Sequence, residues 1–161
     1  MQCQEGEIMA KVLNYGMVGG GPDAFIGDAH RRAISLDESA RLVAGVFSRN
    51  AEKSKKMGEV LHIEEERCYK DYETMALEEA KREDGIDFVV VVTPNASHYE
   101  ICKAFLNAGI HVVCDKPVTT TYEKAVELQK LAEEKSLLFM VTYTYMGHVT
   151  AKYARDLIAS G

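Results

Sequence analysis

Short apolar runs alternate along this chain with longer stretches whose apolar residues recur at helical spacing. The runs at residues 12–18, 42–47, 88–92, 110–114 and 137–142 read as strands, and a shorter one at 67–69 as a minor third strand. Residues 27–36, 50–61, 72–82, 97–108 and 120–135 read as helices, and 149–159 forms a last one. The clearest strand is Phe88-Val89-Val90-Val91-Val92, which is β-branched and bounded by Asp87 and by Thr93-Pro94. The helix at 97–108 puts Ile101, Cys102, Phe105 and Leu106 on one side and has Gly109 as its C-cap. Thr120-Thr121-Tyr122-Glu123 offers a capping box for the next helix.

Alternating strands and helices predict a parallel sheet covered on both faces. The fold class is therefore α/β, a doubly wound parallel sheet, and six strands fit the dinucleotide-binding order. No linker, repeat or low-complexity tract breaks residues 1–161, which are expected to form one domain. The chain ends at Ala159-Ser160-Gly161, which reads as a cut after a cofactor domain, with a second domain absent.

Composition removes several other readings. The net charge of −6 disfavours wholesale attraction to nucleic acid or to an anionic membrane. No apolar run approaches the roughly 20 residues of a membrane helix. The polar, acidic start Met1-Gln2-Cys3-Gln4-Glu5-Gly6-Glu7 is not a secretory signal, and Arg31-Arg32 lacks the apolar stretch of a twin-arginine signal. The cysteines Cys3, Cys68, Cys102 and Cys114 show no Cys-x-x-Cys spacing, so no metal site is expected and buried reduced thiols fit best. A cytoplasmic location follows. Glu64-Glu65-Glu66 reads as a solvated loop and the scattered methionines as core.

Candidate chemistry sits in loops that follow the apolar runs. In an open parallel sheet such loops gather along one edge, and ligands bind there. The first is Gly19-Gly20-Gly21-Pro22-Asp23-Ala24-Phe25-Ile26-Gly27. Gly19, Gly21 and Gly27 suit close approach to a pyrophosphate at a helix N-terminus, although five residues separate Gly21 from Gly27 where the usual fingerprint has two. An ordinary glycine turn carries the same residues. After the second strand, Ser48-Arg49, with Lys53 nearby, replaces the acidic residue that reads a ribose 2′-hydroxyl. A hydroxyl and a guanidinium suit a 2′-phosphate, which favours NADP over NAD, against the plain alternative of a solvated arginine.

Thr93-Pro94-Asn95-Ala96-Ser97-His98 follows the strongest strand, and its backbone and Asn95 suit a cofactor diphosphate or nicotinamide ribose. His98, alone, is more often structural than catalytic. Asp115-Lys116-Pro117 puts a lysine at the mouth of the crevice, where an ammonium stabilises charge on a substrate oxygen; by itself a surface lysine in a turn explains it better. Tyr143, Tyr145 and His148 are weaker candidates, explained as well by packing at a helix start.

Taken together these residues resemble the Gfo/Idh/MocA family of oxidoreductases, across residues 13–161. The resemblance rests on Gly16-Met17-Val18-Gly19-Gly20-Gly21, Gly27-Asp28-Ala29-His30, the Thr93–His98 segment, Asp115-Lys116-Pro117 and the final helix. It implies a Rossmann-type NAD(P)-binding domain with a cofactor site of Gly19, Gly21, Gly27, Ser48, Arg49, Thr93, Pro94, Asn95, His98, Asp115, Lys116 and Pro117. It also implies hydride transfer between NADP (or NAD) and a sugar, cyclitol or related polyol, with Lys116 as catalytic residue orienting the reacting hydroxyl. The family's other acid–base group, substrate contacts and dimer interface lie in a C-terminal α/β domain, so the full-length protein is expected to be a homo-oligomer and this chain alone to bind cofactor without turnover. Two departures stand out: Asp115 replaces the usual Glu, and the glycine loop is lengthened. A non-catalytic redox-sensing module is the alternative, against which Lys116 argues. A domain for another phosphate-bearing ligand leaves the Thr-Pro-Asn and Asp-Lys-Pro loops unexplained.

Overall fold

A computed structural model describes residues 11–161; the expectations for Cys3 and for residues 1–7 lie outside them. The elements run β1 (Leu13–Gly19), α1 (Phe25–Ile34), β2 (Ala40–Val46), α2 (Ala51–Val60), α3 (Tyr72–Glu79), β3 (Phe88–Val92), α4 (His98–Asn107), β4 (His111–Cys114), α5 (Tyr122–Glu134), β5 (Phe139–Val141) and α6 (Val149–Ser160). All pairings are parallel, in the order β2-β1-β3-β4-β5.

The continuous apolar runs follow from burial on both faces. In β3, Val89 and Val91 face a core built with Met75, Phe105, Leu106 and Leu128 of α3, α4 and α5. Val90 and Val92 face the opposite core, with Tyr15, Met17 and Met57, against which Ile26 and Ile34 of α1 pack. The sheet is thus doubly wound, and each fully buried valine contributes about 1.5–3 kcal/mol of apolar transfer free energy.

Three expectations are corrected, and the sheet has five strands where six were expected. Residues 67–69 are not a strand. Glu65–Arg67 is one 3₁₀ turn, and only Cys68 bridges to Gly45, with Tyr69 N donating to Gly45 O at 2.9 Å. The cause is Arg67, whose buried guanidinium pairs with the buried carboxylate of Glu79 on α3, while Tyr69 Oη donates to the same carboxylate at 2.8 Å. Partners on a helix hold the segment, so it lies beside β2, where a doubly wound sheet places its outer strand, without running along it. The capping box at Thr120–Glu123 does not form either. Thr121 is the cap, its hydroxyl accepting from Lys124 N at 3.4 Å, so the residue three positions on is a lysine. α1 begins at Phe25, two residues before the expected start.

Candidate functional site

Strand order reverses at β1: α1 and α2, on either side of β2 in the chain, pack on one face of the sheet, and α3 and α4, on either side of β3, pack on the other. The carboxyl ends of β1 and β3 therefore splay their loops apart, and a cavity of about 710 Å³ opens there. That size lies within the range of small-molecule and cofactor sites. Its walls come from the glycine loop (Gly19, Gly21, Asp23), the end of β2 (Ser48, Arg49), α2 (Lys53), the loop after β3 (Thr93, Pro94) and the start of α3 (Lys70, Asp71, Tyr72).

The glycines act by bringing backbones together. Gly19 has φ +96°, and a Cβ there would stand 2.8 Å from the carbonyl carbon and oxygen of Val92. A Cβ on Gly21 would stand 2.5 Å from Phe47 O. Gly27 is buried beneath Gly20, where a Cβ would come within 2.4 Å of its Cα. Arg31 Nη1 donates to Gly20 O at 3.0 Å and pins the loop from below. The N-cap of α1 is Ala24, which has no side-chain acceptor to offer, so the first N–H groups of α1 remain for an anion.

At the end of β2, Ser48 Oγ accepts from Asn50 N at 3.1 Å, and Asn50 Oδ1 caps α2 by accepting from Lys53 N at 3.0 Å. Lys53 Nζ reaches across to Asp23 of the glycine loop at 3.1 Å. Arg49 is exposed on the cavity wall and makes no ion pair among the described residues.

Beyond β3, the Ser97 hydroxyl lies 2.9 Å from Thr93 Oγ1 and 2.7 Å from Pro94 O, which closes the 3₁₀ turn Asn95–Ser97. Asn95 is exposed and stands outside the cavity walls. His98 does not line the cavity, contrary to the direct contact expected of it: it is 0% exposed, with Nδ1 2.9 Å from Pro117 O and Nε2 2.7 Å from Thr93 O.

The third motif leaves β4 on the same edge, one strand further on. Asp115 N donates to Val91 O at 2.9 Å, and Asp115 Oδ1 accepts from Thr142 Oγ1 at 3.0 Å. His30 Nε2 is 4.0 Å from that carboxylate; burial holds the His30 pKa below its ordinary value, opposed by Asp115. Lys116 is exposed, outside the cavity walls, and its bond to Pro117 is cis. Tyr143, Tyr145 and His148 are exposed, and the rings of the last two meet edge to face at 5.5 Å.

The structure thus brings Gly19, Gly21, Ser48, Arg49, Thr93 and Pro94 around one cavity. It puts Gly27 and His98 beneath the loops, and Asn95, Asp115, Lys116 and Pro117 beside the cavity. Arg31, Asp71 and Tyr72 were missed. Only Asp71 carried a signal, as an N-cap type before a helix: its Oδ1 accepts from Thr74 N at 2.7 Å. Among the described residues no cluster of three or more His, Cys, Asp or Glu could hold a metal ion, and no helix is long and apolar enough to cross a membrane.

This architecture matches a family model described as an oxidoreductase family with an NAD-binding Rossmann fold, over residues 13–143. An uncharacterised oxidoreductase of Bacillus subtilis, YfiI, is 44% identical over 155 residues, which are 96% of this chain and 39% of that protein. The crystal structure of an inositol dehydrogenase homologue from Azotobacter vinelandii, complexed with NADH and myo-inositol, is 43% identical, with a TM-score of 0.89 over 94% of this chain and 40% of that one. The scyllo-inositol 2-dehydrogenase (NADP(+)) IolW of Bacillus subtilis is 43% identical over 65 residues, 40% of this chain and 18% of that protein. The chain therefore spans about two fifths of the first two of these relatives.

Proposed function

We propose, from the premise that this chain belongs to the Gfo/Idh/MocA oxidoreductase family, that it is the dinucleotide-holding domain of an NADP-preferring dehydrogenase acting on a sugar, cyclitol or related polyol. The observation that carries the reading is the convergence of three separate loops on one carboxyl edge of the sheet, around a cavity of suitable size.

The residues present fit the cofactor. Gly19 and Gly21 leave backbone and no side chain at the cavity floor, beside the uncapped start of α1, as a pyrophosphate requires. Ser48 and Arg49 put a hydroxyl and a guanidinium after β2, where an acidic residue would read a 2′-hydroxyl, which suits a 2′-phosphate; Lys53 beside them is paired with Asp23. Thr93, Pro94 and Asn95 border the nicotinamide end. When bound, the dinucleotide supplies hydride exchange with the substrate carbon. Lys116, exposed next to that end, donates to the substrate oxygen, orients it and steadies the charge that builds there as the hydroxyl proton leaves. Asp115 is held by Thr142 and by the strand backbone, which fixes the start of the lysine's turn.

The polyol class draws on the inositol-related relatives. We assign the remaining substrate contacts and the second acid–base group to a further domain, and oligomerisation to the full-length protein. Calorimetric titration of this chain with NADPH and with NADH tests the reading. The expected result is at least tenfold tighter binding of NADPH, with the preference lost in Arg49→Asp and NADH binding retained. Binding of neither dinucleotide overturns it.

A further inference from the structure

His98 stands at an unusual junction. It is wholly buried, it opens α4, and its two ring nitrogens reach carbonyls from different segments, Thr93 O at 2.7 Å and Pro117 O at 2.9 Å. A carbonyl only accepts, so both ring nitrogens must donate, and only the imidazolium form does that. The negative ends of the two carbonyl dipoles therefore both face the ring. Beside it Cys114, fully buried at the end of β4, places its Sγ 3.3 Å from Asp115 O, and its pKa is held below the ordinary thiol range by its neighbours Cys102 and His98, against burial. Cys102 is correspondingly raised, by its neighbour Cys114 and then by burial. Burial alone would lower the His98 pKa, but the influence of nearby Cys114 and the hydrogen bonds to the two carbonyls outweigh it and raise it to about 9.

One imidazole therefore spans the gap between the loop after β3 and the loop after β4. We propose that His98 is a positioning residue that locks these two loops into one unit, so that the nicotinamide-side wall at Thr93 and Pro94 and the turn carrying Lys116 keep a fixed spacing. The inference rests on the functional reading above for what that spacing serves, and on the hydrogen bonds alone for the lock itself.

The lock is tested first without ligand, on the 161-residue chain. At pH 7, nitrogen-15 NMR of the His98 ring shows both nitrogens protonated; a neutral tautomer overturns the proposal. In His98→Leu, hydrogen exchange quickens together at Ser97 N, which donates to Pro94 O, and at Asp115 N, which donates to Val91 O, while the β1–β2 amides keep their protection. Faster exchange spread evenly over the sheet, or confined to one loop, overturns it. His98→Gln, whose amide nitrogen can still donate to one of the two carbonyls while its oxygen cannot, restores part of the protection and serves if the leucine variant does not fold. With ligand, NADPH binding weakens at least tenfold in His98→Leu, while adenosine 2′,5′-bisphosphate, which lacks the nicotinamide half, binds as before. Equal losses on both ligands reveal a general structural role and overturn the positioning role. Wild-type chain that binds neither ligand but passes the NMR and exchange tests defeats the functional reading and leaves the lock standing.

Discussion

Gly19 closes β1 directly opposite Val92 of β3, with φ +96°, and a side chain there would meet the Val92 carbonyl carbon and oxygen at 2.8 Å. The close approach lets the two strand ends diverge from one point, which creates the cavity floor. Gly19→Ala therefore meets two obstacles: the left-handed backbone costs an L-residue about 1–2 kcal/mol, and the backbone of β3 cannot yield as a flexible side chain would. We expect a melting temperature several degrees lower, at about 2–4 °C per kcal/mol for a chain of this size, and at least tenfold weaker NADPH binding by calorimetry. Unchanged values of both would show that the loop is not held as described.

The buried pair Arg67–Glu79 fastens the segment beside β2 to α3. Removing Glu79 leaves the buried Arg67 guanidinium with only the longer contacts to Asp84, at 3.4 Å. Glu79→Ala should cost about 3–5 kcal/mol in urea unfolding. The double replacement Arg67→Met with Glu79→Leu should recover most of that loss, because no unpaired charge remains. A double variant as unstable as the single one would contradict this account.

Asp71 caps α3 through Thr74 N and lines the cavity. Hydrogen bonds from Thr74, side chain and backbone, hold its carboxyl below the ordinary value of 3.8. A depressed folded value means stability that is present above the unfolded pKa and is lost as pH falls through the folded one. Asp71→Ala should thus cost about 1 kcal/mol at pH 7, the usual worth of an N-cap. Thermal melts should show the difference shrinking as pH drops below 3.8, and a gap that persists in acid would rule out the carboxylate as its source.

Lys116 stands outside the cavity walls. Lys116→Ala should leave NADPH affinity within about twofold of wild type, since an exposed, screened charge contributes little to binding. A loss above tenfold would move the lysine from the substrate side to the dinucleotide.

Much of this was legible along the chain, and for specific reasons. Val89 to Val92 announce a strand because both faces of β3 are covered, so polarity cannot alternate. The loops at Gly19, Arg49 and Thr93 announce a crevice because parallel strands send their exits to one edge. Arg67 misled because its partner Glu79 lies on another element, and nothing local marks either charge as buried. His98 was read as structural from the residues alone, as it is, but its partners were not legible: its acceptors lie five and 19 positions away, and only the packed sheet brings them to one ring. Thr121 took the cap expected of Thr120 because neighbouring threonines are equivalent candidates until the helix axis is set.

The Cys68 bridge to Gly45 also bears on the outer border of the sheet. A parallel sheet whose flank lies open invites a strand from another molecule to add itself. Here the outer side of β2 is met by a segment that bonds once, turns away, and is tethered to α3 by the Arg67–Glu79 charge pair. That flank is guarded against self-addition by an ionic clasp rather than by another strand, so loosening the clasp would expose an aggregation-prone border before the sheet itself gave way.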